Sequence, residues 1–191
     1  MKKILFNERY RLTKAVLEGR KTQTRRIVPE KLFQECRSNG LLETGGFNSQ
    51  WKEKSLELLL KKSTYKIGEE VAVAQSYEDV SNEVFLFATK VRGKEYRAGW
   101  GNKMFVRADL MPHRIRITNV RVERLQDISD EDCLKEGIIE ELFGTTPAYW
   151  VLDVCFSNIR HAFRNLIDKV SGRGTWDSNP YVFVYDFELV K

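Results

Sequence analysis

Residues 19–27 read GRKTQTRRI and place four cations and two hydroxyls in nine positions. A lysine beside a threonine can transfer a proton and attack a carbonyl, whereas arginines suit phosphate. On an ideal strand Lys21 and Thr24 would point to opposite faces, so they can share a site only if the chain turns or bulges between them. The residues alone leave three interpretations open: a solvated basic edge strand, a phosphate-binding strand or a catalytic site.

A carboxylate at the end of a predicted short helix is the second feature. Residues 127–137 read DISDEDCLKEG, in which Ser129 is placed to cap the helix and Gly137 to end it. Glu136 then faces the negative end of the helix dipole, which costs a few tenths to about 1 kcal/mol. It needs a nearby cation or a function, and the residues alone favour an exposed surface glutamate.

Residues 92–107, RGKEYRAGWGNKMFVR, alternate cations with aromatic rings. Rings that stack on bases beside cations that neutralise phosphate are typical of a single-stranded nucleic-acid site. Tyr96, Arg97 and Trp100 are the candidates for such contacts. The competing interpretation is a long loop that anchors itself to the domain through its aromatic residues.

Composition indicates an ordinary globular protein, with 42% hydrophobic and 31% charged residues among 191. One compact domain is expected, and no apolar run is long enough to cross a membrane. The N-terminus lacks the apolar stretch of a signal peptide, so a cytoplasmic location is expected. A net charge of +5 is a moderate bias toward polyanions such as nucleic acid.

The cysteines and histidines do not suggest a metal site. Three widely spaced cysteines, Cys36, Cys133 and Cys155, with His113 and His161, form neither a zinc pattern nor a disulfide framework. We therefore expect no metal and no cofactor, and we expect Cys133 and Cys155 to be buried at apolar helical positions. No glycine-rich phosphate loop of familiar spacing occurs, which argues against nucleoside triphosphatases and dinucleotide enzymes.

The predicted elements are several short strands broken by a few helices. A helix should follow Asn7 and end at Gly19. The clearest amphipathic helix is 152–170, and 31–64 has the character of an insertion between strands. The fold class is therefore α+β, a small, mostly antiparallel β-barrel with surrounding helices. Strands are predicted at 22–28, 70–74, 83–91, 113–125 and 181–190.

Four segments in order resemble the ASCH domain, a PUA-like barrel family: GRKTQTRR at 19–26, YKIGEEVAV at 65–73, VRVERLQDISDEDCLKEG at 120–137 and WDSNPYVFVYDFE at 176–188. The tail is similar to a longer form common in bacteria and their phages. The resemblance covers most of the chain and implies a single ASCH domain over 1–191. Residues 31–64 and 92–112 would be family-variable insertions.

The resemblance implies a cleft between the GRKT segment and the helix that carries the acid, with RNA or a nucleotide derivative as ligand. The leading hypothesis is an RNA- or nucleotide-binding protein in RNA or modified-nucleoside metabolism. Arg20, Arg25 and Arg26 would hold phosphate, and an aromatic ring of the 92–107 loop would stack on a base. The partner would be RNA, another single-stranded nucleic acid or a nucleoside derivative, and no membrane.

One branch of the family consists of amidohydrolases that deacetylate acetylcytidine with a lysine, a threonine and a glutamate. These residues correspond to Lys21, Thr24 and Glu136, which would act as base, nucleophile and orienting partner. Lys21 would need its pKa lowered from about 10.4 toward roughly 7 to 8. This chain is nearly twice as long as those enzymes, which leaves the substrate open. Ribonuclease activity is a weaker alternative, since only two histidines are present.

Overall fold

The computed structural model describes residues 1–80 and 98–190, which form two β-sheets with helices packed around them. The mixed α+β class is confirmed. The strands are β1 (Lys3–Ile4), β2 (Gln23–Ile27), β3 (Glu70–Val73), β4 (Arg114–Arg124), β5 (Ile139–Phe143), β6 (Thr146–Val151), β7 (Val154–Phe156) and β8 (Tyr181–Val190). The α-helices are α1 (Leu12–Leu17), α2 (Glu30–Glu43), α3 (Trp51–Lys61), α4 (Asp130–Lys135), α5 (Ile159–Ser171) and α6 (Thr175–Ser178).

The larger sheet has the strand order β1-β3-β4-β8-β2. Its β1 and β3 are parallel, and its other pairs are antiparallel. The long β4 and β8 form its centre, paired from Arg114 opposite Val190 to Arg124 opposite Tyr181. Among the described strands no pairing joins β1 to β2, so barrel closure is not seen there.

The GRKTQTRRI segment supplies β2, as the sequence predicts. Thr24 pairs with Tyr185 of β8, and the backbone N–H of Phe187 donates to the Thr22 carbonyl at 2.8 Å. The strand β8 is buried at four consecutive residues, 182–185, rather than at every second one, and its Tyr185 is fully buried in the main core. Because β2 is registered along five residues of this buried strand, its side chains have fixed directions.

The insertion 31–64 folds into α2 and α3, which pack closely on each other. A Cβ added at Gly40 would lie 2.2 Å from the Ser55 hydroxyl, so the crossing of the two helices requires glycine there. Cys36 and Leu59 enter the main core. Asn39 and Gly40 have low helix propensity, but α2 continues through them to Glu43 because its buried face, with Cys36 and Gly40, outweighs that propensity.

The predicted helix 152–170 begins later than expected. Leu152 has a φ of 55° in a turn, residues 154–156 form β7, and Asn158 caps α5 by accepting from the N–H groups of Arg160 and His161. The helical spacing across 152–158 was therefore accidental, because those residues belong to the three-stranded sheet. No strands were predicted at the positions of β5 and β6. Cys155 consequently lies exposed on β7, and the prediction that it is buried in a helix is wrong.

The three thiols should differ sharply in reactivity. Cys36 and Cys133 are fully buried, and burial raises the pKa of Cys133 to about 12, whereas Cys155 is exposed. Only the thiolate reacts, so we expect one thiol per native chain to react rapidly with a disulfide reagent. Cys155→Ser should abolish that rapid reaction and Cys36→Ser should not. Rapid reaction of a second thiol would contradict this packing.

The segment after β3 is described only in part. The predicted strand 83–91, together with Tyr96 and Arg97, lies outside the described residues. Residues 98–112 run through two short 3-10 helices and pack Val106 and Met111 on Tyr77. In the part of the chain that the structure describes, no helix is both long and apolar enough to cross a bilayer.

Candidate functional site

The turn between α1 and β2 brings Lys21 beside the strand rather than onto its pleat. Gly19 has a φ of 75°, and the backbone N–H of Lys21 donates to the Ala15 carbonyl at 2.9 Å. Thr22 then donates its N–H to the Lys135 carbonyl at 3.0 Å. The turn that Lys21 and Thr24 need in order to share a site is therefore present. The Thr22 hydrogen bond joins the start of β2 to the end of α4.

The acid is positioned by the two ends of α4. Ser129 caps the helix as predicted, accepting from the Asp132 N–H at 3.2 Å. Gly137 leaves it with a φ of 98°, and a Cβ there would lie 3.4 Å from the Cβ atoms of Ala15 and Lys21. The turn thus packs tightly on α1, and Glu136 is placed directly beside Lys21.

Lys21 and Glu136 form a buried ion pair. The Lys21 Nζ donates to Glu136 Oε2 at 2.5 Å and to its backbone carbonyl at 2.9 Å. Their side chains are only 1% and 7% exposed. The residue-based interpretation of Glu136 as a surface glutamate is therefore wrong: the ammonium offsets both the carboxylate and the negative end of the helix.

A cavity of about 350 Å³ opens beside this pair, and we call it the Lys21 cavity. Thr24, which is 5% exposed, also lines it. Its hydroxyl has no hydrogen-bond partner among residues 1–80 and 98–190. The other lining residues are Leu5, Phe6, Asn7, Leu12, Arg25, Arg26, Ile27, Phe163, Leu166, Ile167, Val170 and Ser171. An apolar pocket with a few convergent polar groups is the usual form of a small-molecule site.

Arg25, which was expected to bind phosphate, lies instead among buried carboxylates. Its side chain is 1% exposed, and its guanidinium contacts Glu136 Oε1 at 3.1 Å, Glu123 Oε1 at 2.7 Å and Asp132 Oδ2 at 3.2 Å. It also donates to Gln23. Three carboxylates contact the two terminal nitrogens of this guanidinium, while its buried Nε has no hydrogen-bond partner among the described residues. Arg25 therefore holds Glu136 through Oε1, the carboxylate oxygen that Lys21 does not contact.

The remaining predicted ligand residues are not all gathered at one place. Arg26 lines the Lys21 cavity and donates to the Leu5 carbonyl at 2.5 Å. Arg20 lies outside that cavity, paired with Glu18 at 2.6 Å. Trp100 packs against the small apolar cluster around Tyr77, away from the Lys21 cavity.

Burial controls the protonation of Lys21. Removal from water lowers its pKa, Glu136 opposes that change, and Arg26 and Arg25 lower the pKa further, so that the net direction is down. For Arg25, burial alone would lower the pKa, but Glu136 and Glu123 outweigh it and raise the pKa overall. The lysine is thus the group that moves toward its neutral form, while Arg25 stays charged.

Sequence reasoning missed the charged network behind the pair. Arg121 on β4 contacts Glu123 Oε2 at 3.0 Å, Asp186 Oδ2 at 2.8 Å and Asp132. The i, i+2 spacing of Arg121 and Glu123 on one strand was the available signal, because it places both on one face. Nothing in the sequence indicated that Asp132 and Arg25 would meet them.

Within the described ranges, no group of three or more histidine, cysteine, aspartate or glutamate side chains is arranged to hold a metal ion. Comparison of the chain with protein-family profiles, curated proteins and solved structures gave no significant match. The site must therefore be interpreted from its own geometry.

Proposed function

We propose that the protein is an amide hydrolase acting on acylated cytidine-type nucleosides, with its reaction centre in the Lys21 cavity. The observation that carries this is the buried Lys21–Glu136 pair in the wall of a cavity that Thr24 also lines, its hydroxyl having no hydrogen-bond partner among the described residues. A site built only to hold phosphate does not need a buried lysine whose pKa is lowered.

In the proposed reaction the Thr24 hydroxyl oxygen attacks the amide carbonyl carbon, and Lys21 accepts the hydroxyl proton. Collapse of the tetrahedral intermediate breaks the C–N bond, and the Lys21 ammonium returns the proton to the leaving amine. Water then attacks the threonine ester with Lys21 again as base, releasing the carboxylic acid and the free hydroxyl. Glu136, held by Arg25, keeps the lysine amine in place throughout.

The walls of the cavity suit a flat, moderately polar ligand. Its volume of about 350 Å³ is at the lower end of small-molecule pockets, which span roughly 300 to 1,000 Å³. Phe6 and the α5 residues Phe163 and Ile167 offer apolar surface for a base and its acyl group. Asn7 and Ser171 add neutral hydrogen-bonding groups that can orient the ligand.

Membership of the ASCH family and a PUA-like barrel are part of the same proposal. Besides the four sequence segments, the two end strands of the larger sheet both contribute to one cavity: Leu5 and Phe6 follow β1, and Arg26 lies on β2. The hydrogen bond from Arg26 to the Leu5 carbonyl brings these ends together. This approach of β1 and β2 supports a barrel-like arrangement around the site.

Nucleotide binding without chemistry is the second candidate function. The observation in its favour is the 2.5 Å contact between Lys21 and Glu136, which stabilises a charged lysine that could not accept a proton. Incubation with acetylcytidine separates the two functions, because only the hydrolase produces cytidine. Lys21→Ala and Thr24→Ala serve as the negative controls. Neither His113 nor His161 lines the Lys21 cavity, so the ribonuclease alternative gains no support.

The rate of hydrolysis should rise with pH. Only the neutral Lys21 amine can accept a proton, and its fraction grows as the pH passes through the lowered pKa. We therefore expect kcat/KM for acetylcytidine to increase and to reach its plateau below the ordinary lysine value of about 10.4. A profile between about pH 5 and 9 that is flat, or that falls, would contradict lysine as the base.

A further inference from the structure

A second cavity, of about 300 Å³, is lined in part by α1, through Leu12, Lys14 and Ala15. We call it the Trp150 cavity. Tyr10 and Trp150 line it, and with Leu152 they provide the large apolar surface that a stacked base requires.

The Trp150 cavity carries an excess of positive charge. Arg11, Lys14 and Arg20 line it together with a single acid, Glu18. Glu18 is shared between Arg20 at 2.6 Å and Lys14 at 3.6 Å. The Arg11 guanidinium has no ion-pair or hydrogen-bond partner within residues 1–80 and 98–190. Two cations therefore compete for one carboxylate and a third is free, which leaves capacity for a phosphate.

Only a thin wall divides the two cavities. Leu12 and Leu166 line both of them. Glu136 lines the Lys21 cavity, and the next residue, Gly137, lines the Trp150 cavity. The two cavities are therefore neighbours that share wall residues, as adjacent nucleotides of one strand would require.

We propose that the ligand of this protein is a nucleotide within single-stranded RNA, whose neighbouring nucleotide occupies the Trp150 cavity. The acylated base enters the Lys21 cavity, the adjacent base stacks against Tyr10 and Trp150, and Arg11, Lys14 and Arg20 contact the phosphates on either side of that adjacent nucleotide. The proposal rests on the proposed function, because it assigns the substrate class of the same reaction centre. It also gives Arg20 the phosphate contact expected from the sequence, at a different cavity from Lys21.

An RNA-binding measurement tests the role of the Trp150 cavity without requiring catalysis. A short fluorescent oligoribonucleotide with one central acetylcytidine is titrated with the wild-type protein, with Arg11→Gln/Lys14→Gln, and with Lys31→Gln/Lys52→Gln. The last variant removes two exposed lysines from α2 and α3 and is the charge-matched control. Fluorescence anisotropy is measured over a range of salt concentrations.

The Arg11→Gln/Lys14→Gln variant should bind roughly 10- to 30-fold more weakly at about 0.1 M salt, with its salt slope shallower by about 1.4 for two lost phosphate contacts. The control variant should bind as the wild type does. Equal affinity of the two double variants would overturn the proposal, as would wild-type binding that is indifferent to salt.

Turnover separates this inference from the proposed function. The ratio of kcat/KM for the oligonucleotide to kcat/KM for free acetylcytidine should fall at least about tenfold in Arg11→Gln/Lys14→Gln. An unchanged ratio would overturn the role of the Trp150 cavity while leaving the hydrolase intact. Selective loss of RNA binding in a protein that hydrolyses neither compound would support the cavity and overturn the chemistry.

Discussion

Lys21→Met is expected to lower kcat/KM for acetylcytidine by about 10²- to 10⁴-fold, the usual contribution of a positioned general base. Methionine fills a similar volume but cannot accept a proton. The Glu136 carboxylate stays paired in this variant, because Arg25 contacts its Oε1 at 3.1 Å. The loss should therefore appear in the chemistry and leave the far-ultraviolet circular dichroism spectrum unchanged.

Two further variants make the Lys21 result decisive. Lys21→Arg keeps the positive charge beside Glu136 but remains protonated, so it should fold and be inactive. Lys52→Met replaces an exposed lysine on α3 and should keep full activity. Activity within about threefold of the wild type in either Lys21 variant would rule out this lysine as the base.

Arg25→Met is expected to destabilise the protein by about 3 to 5 kcal/mol, the usual cost of removing one member of a buried charge network. Its guanidinium is 1% exposed and contacts Glu123, Asp132 and Glu136, which would lose their shared cation. Among the described residues, Asp132 would keep ion pairs with Arg121 and Lys135, but Glu136 would keep one, with Lys21. Urea unfolding monitored by fluorescence gives the free energy of unfolding.

Arg116→Met is the matched control for Arg25→Met. Arg116 also contacts two carboxylates, Glu70 and Glu188, each at 3.1 Å, but its side chain is 46% exposed. Exposed pairs contribute about 0 to 1 kcal/mol, so this variant should lose little stability. Equal losses in the two variants would show that the Arg25 network is no more important to folding than a surface pair.

The loss of stability in Arg25→Met should depend on pH, because Arg25 contacts carboxylates that titrate in acid. Burial alone would raise the pKa of Asp132, but Lys135, Gln23, Arg121 and Arg25 lower it overall. A lowered pKa in the folded state stabilises the protein above the unfolded value, near 3.9, and that contribution is lost as the pH falls through the folded value. The stability difference between wild type and Arg25→Met should therefore shrink in acid.

Local pattern was enough to predict the strands that frame the site. β8 was recognisable because aromatic and β-branched residues alternate along it, and α4 from its capping serine and closing glycine. β2 was recognisable as an extended segment between Gly19, which ends the preceding helix, and Pro29. The small sheet β5–β7 was missed because β5 is solvent-exposed along its whole length and lacks a buried face to set an alternation. Leu152, Cys155 and Phe156, which lie in or next to β7, happen to continue the apolar spacing of α5. This coincidence produced the prediction of a longer helix.

The contacts that define the site could not be predicted from local pattern, because they depend on tertiary geometry. Whether Lys21 and Thr24 share a cavity depends on the Thr22 hydrogen bond to Lys135, more than a hundred residues away. The sequence around Glu136 predicted a surface position, because the ion pair with Lys21 that allows its burial forms only in the folded structure. Arg25 and Arg26 are adjacent cations in the sequence and both line the cavity, yet Arg25 contacts three carboxylates whereas Arg26 donates to the Leu5 carbonyl.

The most direct test of the central claim is the conversion of acetylcytidine to cytidine by wild-type protein, Thr24→Ala and Thr24→Ser, measured side by side. We predict conversion by the wild type, loss of at least about 10²-fold in Thr24→Ala, and partial activity in Thr24→Ser, which keeps a hydroxyl at the same position. Absence of conversion by the wild type, or equal conversion by Thr24→Ala, would contradict a threonine nucleophile in the Lys21 cavity.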